Sequence, residues 1–303
     1  MTTFNWEMKG PSREHVRTFL TAHGITRSFM KRIKFHGGIV RKNGREVRVT
    51  DMVEAGDHVQ LTLPPEPDNP NVAVSHIPLE VLYEDDHFLV VNKPAGVASV
   101  PSHLYPNDSL ANRVKGHLLK EGADSHVTHI VTRLDRETSG AVVFAKHHYA
   151  HSILDWQLKN HELSKRYVAV AAGLFPERQL MINQPIGRQP GSFIKRMVRP
   201  DGREAQTQVQ RLAASQTASL LAIQLHTGRT HQIRVHLANL GFPLIGDWLY
   251  GTQTDPYIHR QALHCARVSF YSPFDQKKIT CYAPLPADLA SLINHEVYPS
   301  RVR

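Results

Sequence analysis

The chain has 303 residues, 41% of them hydrophobic and 21% charged, with a net charge of +9 and two cysteines, Cys265 and Cys281. That length suits one large core, or one core plus a small module. No apolar run reaches the roughly 18–20 residues that cross a bilayer, no leader is visible in MTTFNWEMKG, and two cysteines without a CxxC spacing exclude a zinc site of their own; the expectation is a cytoplasmic protein with reduced thiols and no membrane partner.

In chain order, REHVRTFLTAHG (13–24) puts Val16, Phe19 and Leu20 at helical spacing, with Gly24 as a C-cap. Ser28 is the expected N-cap of a second helix, SFMKRIKFHGG, in which Phe29, Met30 and Ile33 make an apolar side and Lys31, Arg32 and Lys34 a basic one. IVRKNGREVRV reads as a hairpin turned at Asn43-Gly44, and DHVQLTL as a closing strand. Between Lys9 and Arg48 eleven Lys and Arg stand against two acids, a net of +9 that equals the charge of the whole chain. Charge localised in this way suits a polyanion, because each neutralised phosphate releases condensed counterions. A solvated basic face or an acidic protein partner fits the same composition.

PPEPDNPN (64–71) holds four prolines in eight residues, which rules out helix or central strand and marks a linker. The predicted organisation is a small unit over 1–63, a linker over 64–75 and a body over 76–303. In the body, PLEVLYEDDHFLVVNKPAG predicts two strands about Glu84-Asp85-Asp86. THIVTRLD and SGAVVFAK predict strands on either side of a polar knot, 147–161 a helix, KRYVAVAAG a strand, and AQTQVQRLAASQTASLLAIQLHTG a long hairpin. RTHQIRVHLANLG predicts a helix capped by Gly241. Strands outnumber helices and mostly arrive as hairpins, so the fold class is α+β with a largely antiparallel mixed β-sheet and flanking helices.

Neither a GxxxxGK[ST] loop nor a GxGxxG fingerprint is present, so no nucleotide cofactor is expected. Among twenty histidines, His226, His231 and His236 are spaced by five, which scatters them around a helix, and no metal is expected. RLDRETSG sets Asp135 at a sheet rim between Arg133 and Arg136, a position for a reactive acid or for a carboxylate that caps a turn. Tyr167 in KRYVAVAAG suits a half-buried core strand. Arg229 opens the RTHQIR segment, and Arg234, flanked by Ile233, Val235 and Leu237, calls for an anionic partner. The segment 187–205 carries five cations and is a candidate polyanion-contacting hairpin or a solvated loop.

Taken together, RLDRETSG, LSKRYVAVAAG, TGRTHQIRVHLANLGFPLIGDWLYG and ALHCARVSF strongly resemble the RluA-type RNA pseudouridine synthases, in order and over about residues 77–290. RTFLTAHGITRSFMKRIKFHGGIVRKNG resembles an S4-type RNA-binding domain. The resemblance implies isomerisation of uridine to pseudouridine without a cofactor in structured RNA, with large-subunit ribosomal RNA first and transfer RNA second; a monomer is the default expectation. It implies that Asp135 is the nucleophile, that Tyr167 stacks on the detached base and shuttles its C5 proton, and that Arg234 holds Asp135 ionised. Arg133 corresponds to the arginine associated with flipping the base. Arg229 and the basic unit, through Arg17, Arg27, Lys31, Arg32, Lys34, Arg41 and Lys42, are the expected phosphate contacts. Thr132 departs from the histidine that many relatives carry before that arginine, which bears on RNA contacts in the loop. The competing reading is a non-catalytic RNA-binding or ribosome-assembly factor on the same fold.

Overall fold

The structure is a computed structural model that describes residues 2–11, 13–251 and 255–298. The first unit contains β1 (Thr3–Glu7), β2 (Glu14–His15), α1 (Val16–Ala22), α2 (Arg27–Phe35), β3 (Ile39–Lys42), β4 (Arg45–Glu46), β5 (Met52–Val53) and β6 (His58–Thr62). Four of these strands form one sheet in the order β1-β6-β3-β4. Asn43 and Gly44 both have positive φ (49° and 81°), the backbone that a two-residue hairpin turn requires. Helix α2 starts two residues earlier than its predicted cap: Thr26 Oγ1 accepts the Phe29 amide at 3.2 Å, so Ser28 lies inside the first turn. Phe29, Met30 and Ile33 are buried while Lys31 and Lys34 face outward, as the amphipathic spacing predicts. Strand β1 was not anticipated, because its half-exposed TFNWE alternation leaves little signal outside the sheet it joins.

The body continues with β7 (Val81–Glu84), β8 (Phe88–Lys93), α3 (Leu110–Lys120), β9 (His129–Ile130), β10 (Ser139–Ala145), α4 (His148–Lys159), β11 (Ser164–Ala172), β12 (Gln179–Asn183), β13 (Ile186–Arg188), β14 (Arg196–Val198), β15 (Gln206–Ala214), β16 (Ala218–Leu225), α5 (Gln232–Asn239), β17 (Leu263–Ser272), β18 (Lys277–Tyr282) and α6 (Ala287–Leu292). Ten strands form one sheet, ordered β12-β15-β16-β11-β17-β10-β8-β7, with β18 on β17 and β9 on β10. Every pairing is antiparallel except a short parallel contact of β10 with β17. Strand β10 is buried at all seven positions, which explains its unbroken apolar run, since a central strand covered on both faces has no polar side. The fold is thus α+β with a mostly antiparallel sheet.

Segment 64–75 carries no helix or strand, yet it is fastened to the body. Glu66 accepts from His129 at 2.6 Å, from the His148 amide at 2.8 Å and from Ser125 at 3.2 Å. Lys115, buried on α3, reaches Asp68 and the carbonyls of Asn69 and Val72. The core of the first unit is completed by Tyr149 and Ile153 of α4. Phe4 meets the Tyr149 ring edge-on at 4.9 Å, and the Tyr149 hydroxyl donates to the His23 carbonyl. Burying a side chain such as Ile153 contributes about 1.5–3 kcal/mol, so apolar packing as well as polar ties joins the unit to the body.

Candidate active site

The polar knot between β9 and β10 is held almost atom by atom. The expected strand THIVTRLD shrinks to the two residues of β9; beyond them the amides of Val131 and Thr132 still donate to the Val143 carbonyl, at 2.9 and 3.3 Å, and side chains hold the chain from there on. Thr132 is 3% exposed, and its hydroxyl accepts the Val143 amide at 3.0 Å. Ser99 Oγ accepts the Leu134 amide at 3.0 Å and donates to the Leu134 carbonyl at 2.6 Å. The Asp135 carbonyl accepts the Thr138 amide at 3.0 Å. Fully buried Lys93 donates to the Arg136 carbonyl at 2.9 Å, and to those of Pro94 and Val97 at 2.8 Å each. Burial draws the Lys93 pKa down to about 7, whereas three carbonyl acceptors call for all three ammonium protons. The carbonyls of Leu134, Asp135 and Arg136 therefore each have a partner, which restrains the backbone that carries the Asp135 carboxylate.

Neither arginine beside Asp135 pairs with it. Arg136 pairs with Glu137 at 2.7 Å and stacks on Tyr105. Arg133 is exposed and has no ion-pair or hydrogen-bond partner among the described residues. The partner is Arg234, whose Nη1 donates to Asp135 Oδ2 at 3.2 Å. Asp135 Oδ1 has no hydrogen-bond partner among the described residues. Arg234 is itself 4% exposed and is gripped by Asp247, with Nε and Nη2 each 2.8 Å from a carboxylate oxygen, a bidentate pair. Burial opposes the guanidinium charge, but the bonds and charge of Asp247, and then those of Asp135, outweigh it and raise the Arg234 pKa. Asp247 also accepts the amides of Leu249 and Tyr250, and the Tyr250 ring lies 5.0 Å from the guanidinium.

Helix α5, which carries Arg234, is buried from Gln232 to Leu237. It begins at Gln232, so Arg229 lies in the preceding turn, where its Nε donates to the Glu204 carbonyl at 2.7 Å. His231, in the left-handed conformation (φ 58°), places Nε2 3.9 Å from Asp135 Oδ2 and bonds the Tyr250 hydroxyl through Nδ1 at 2.9 Å. Burial lowers its pKa, which favours neutral imidazole. Tyr167 is 5% exposed, and burial first, then Cys265 and Asp135, raises its pKa well above the ordinary value, so the ring is a neutral phenol. Asp135, Tyr167, Arg133, Arg229, His231 and Arg234 share one cleft of about 820 Å³. A larger cavity of about 1250 Å³ lies between the first unit and α4 and contains none of these six.

The structure thus brings together Asp135, Tyr167, Arg234, Arg133 and Arg229, which the sequence nominates. The basic residues of the first unit lie outside this cleft. Arg17, Arg27, Lys31 and Lys34 are exposed and Arg32 is half-buried. Lys42 pairs with Asp57 at 3.2 Å, and Arg41 contacts Gln60 at 3.5 Å, so both tie β3 to β6 and the turn before it. Sequence reasoning missed Asp247, Ser99, Lys93 and His231. An acid inside LIGDWLYG and a lysine at the end of FLVVNK were the available signals, since charges in apolar runs need partners. Among the described residues no group of three or more His, Cys, Asp or Glu could hold a metal ion.

This arrangement offers, on a residue that lines the cleft, one carboxylate oxygen held by a cation and another without a partner among the described residues, beside a neutral phenol and with exposed cations at the rim. It suits attack on, or proton removal from, a group inserted into the cleft. A profile of the RNA pseudouridylate synthase family matches residues 87–239, a span that contains Asp135, Tyr167 and Arg234. A Bacillus subtilis protein named as an uncharacterized RNA pseudouridine synthase, YjbO, is 42% identical over 281 residues, covering 93% of this chain and 99% of that one. The ribosomal large subunit pseudouridine synthase D of Xanthomonas campestris is 36% identical, covering 83% and 79% of the two chains. The human RNA pseudouridylate synthase domain containing 1 superposes with a TM-score of 0.58 at 25% identity, over 73% of this chain and 86% of that one. The chain therefore belongs to the RNA pseudouridine synthases, isomerases that act on uridine in RNA.

Proposed function

We propose that this enzyme isomerises uridine in large-subunit ribosomal RNA, with Asp135 as the reacting carboxylate. The observation that carries the assignment is the chain Asp135–Arg234–Asp247, in which a buried, doubly held guanidinium fixes one oxygen of Asp135, a cleft-lining residue, and leaves the other without a partner among the described residues. The reaction breaks C1′–N1, forms C1′–C5, removes the proton from C5 and adds one at N1. Asp135 attacks C1′, or removes the 2′ proton to give a glycal; the same free oxygen serves either route. Tyr167, on the cleft wall, stacks on the detached base and shuttles the C5 proton. A uridine in a stem is unreachable until extruded, and the unpartnered Arg133 fills the gap it leaves. The relative named for the large ribosomal subunit supports that RNA as substrate. We place the enzyme in the cytoplasm as a monomer.

Binding is divided between two surfaces. The first unit, read as S4-like, presents Arg17, Arg27, Lys31 and Lys34 to phosphates. The hairpin β13–β14 carries Arg188, Lys195 and Arg196, and its tip exposes Phe193 at 90%. Its loop end is tied toward the cleft, because the Arg196 amide donates to the Tyr250 hydroxyl at 2.8 Å and that hydroxyl bonds His231 of the cleft wall at 2.9 Å.

The test is to isolate total RNA from cells lacking the protein, treat it with the purified enzyme, and map pseudouridine. New pseudouridine in large-subunit ribosomal RNA with the wild type, and none with Asp135→Asn, is expected. Modification confined to transfer RNA would overturn the substrate assignment, and full activity of Asp135→Asn would overturn the assignment of the carboxylate.

A further inference from the structure

Lys165 lines the cleft with Asp135 and Tyr167, yet nothing derived so far employs it. On β11 the register against β16 is regular, Arg166 opposite Gln224 and Tyr167 opposite Ile223. The irregularity lies on β17, which passes from Arg267 to Cys265 across Arg166 and Tyr167. Residues two apart on a regular strand share a face, so Lys165 and Tyr167 project to the same side. A Cβ built on Gly228 would lie 3.9 Å from Lys165 Nζ, which places the ammonium beside the turn that carries Arg229.

The ammonium has no hydrogen-bond or ion-pair partner among the described residues, although the side chain is half-buried. Desolvation lowers its pKa, offset only by Cys265. Other buried lysines of the body differ: Lys93 has three carbonyl acceptors, and Lys115 has Asp68 and two carbonyls. Withdrawing an ammonium from water without a partner is unfavourable. It persists in a fold when a ligand completes it, and the ligand this enzyme draws into the cleft is an RNA nucleotide rich in acceptor oxygens.

We propose that Lys165 contacts substrate directly, its ammonium being completed by an acceptor oxygen of the bound RNA, either a carbonyl of the extruded uracil or the adjoining phosphate. A carbonyl contact strengthens as C1′–N1 breaks and the electron pair passes into the ring, where the negative charge spreads to the carbonyl oxygens. A phosphate contact is equally strong before and during reaction. The proposal rests on the Asp135 cleft being the place where the nucleotide reacts.

Lys165→Met and Lys165→Gln, assayed in enzyme excess on total RNA from cells lacking the protein, separate these sources. Mapping pseudouridine site by site gives a saturating rate and a half-saturating enzyme concentration at several salt concentrations. If the partner is a uracil carbonyl, the saturating rate falls about a hundredfold with half-saturation unchanged, as for removal of one donor to a developing anion. If it is a phosphate, the rate at saturation is unchanged, half-saturation rises about tenfold and the salt slope falls by about one. In both cases the melting temperature is maintained or rises, because an unpartnered cation has been removed. Wild-type rate, half-saturation and salt slope in both variants would overturn the proposal. A lowered melting temperature in both would make Lys165 a packing element and overturn it as well. Asp135→Asn run alongside keeps the two readings apart. If it is inactive while the Lys165 variants behave as wild type, only the lysine inference fails; if it is active, the cleft assignment fails.

Discussion

Replacing Asp247 by Ala removes the grip on Arg234 without touching a residue of the cleft wall. The guanidinium, 4% exposed, is left with Asp135 at 3.2 Å as its remaining carboxylate, and the amides of Leu249 and Tyr250 lose their acceptor. Breaking a buried pair from one side costs about 3–5 kcal/mol, and two charge-assisted bonds at about 1.5–3 kcal/mol each sum to about 3–6 kcal/mol, a range that contains it. At about 2 °C per kcal/mol for a chain of this size, the melting temperature should drop by about 6–10 °C. With its orienting carboxylate gone, Arg234 shifts and carries Asp135 with it, and a misplacement on the order of 1 Å slows the reaction about a hundredfold. Thermal denaturation by circular dichroism, together with single-turnover pseudouridine formation below the new midpoint, reads both effects. Asp135→Asn provides the contrast: activity is lost while the melting temperature moves by less than about 2 °C, because Asp247 still neutralises the buried cation. A melting temperature within about 2 °C of wild type and an unchanged rate for Asp247→Ala would refute the reasoning.

Glu66 has its pKa lowered to about 2, since the bonds from His129, the His148 amide and Ser125 outweigh the opposing effect of burial. A lowered folded-state pKa gives stability that is present above the ordinary value near 4.5 and lost as pH falls through 2; here it amounts to about 3 kcal/mol. Urea unfolding of Glu66→Gln should lack this component of acid destabilisation, and parallel curves for the two proteins between pH 4.5 and 2 would count against it. Replacing Lys31 and Lys34 together by Ala should reduce the slope of log affinity against log salt by about one to two, as for loss of two phosphate contacts; an identical slope would remove the first unit from the RNA surface. Phe193→Ala should raise half-saturation about tenfold, within the range of base stacking, without changing the melting temperature. Trp at that position should restore binding, whereas restoration by Leu would indicate apolar contact instead of stacking.

Much of the architecture was readable because neighbouring residues dictate it. The turn at Asn43-Gly44, the apolar stripe of α2 and the hairpin of β15 and β16 are local patterns, and all three are present. Helix α3 was missed although Ser109 and Asn112 cap it reciprocally, because Asn in the third position is a weaker mark than Glu or Gln. The knot at Asp135 was legible as chemistry, but not its fastening: Ser99, Lys93 and Asp247 lie 36, 42 and 112 positions away, and only tertiary folding brings them near. Neither arginine that flanks the acid pairs with it; the partner that the family resemblance implied, Arg234, stands 99 residues downstream. Thr132, where many relatives carry histidine, has its hydroxyl taken up by the Val143 amide.

Strand β17 lies between β10 and β11, two strands that are nearly consecutive in the chain. At its parallel contact with β10, a Cβ on Gly140 would come within 2.3 Å of the Cys265 carbonyl oxygen, so the backbones nearly touch and any larger residue would push the two strands apart. During synthesis β10 and β11 emerge from the ribosome about a hundred residues before the strand that joins them, each with an unpaired edge open to wrong partners. The acid on one side of that gap and the phenol on the other acquire a fixed separation only when residues 263–272 slide in. A nascent chain that stops short of them carries Asp135 and Tyr167 but not the strand between them, so its maturation rests on a late insertion.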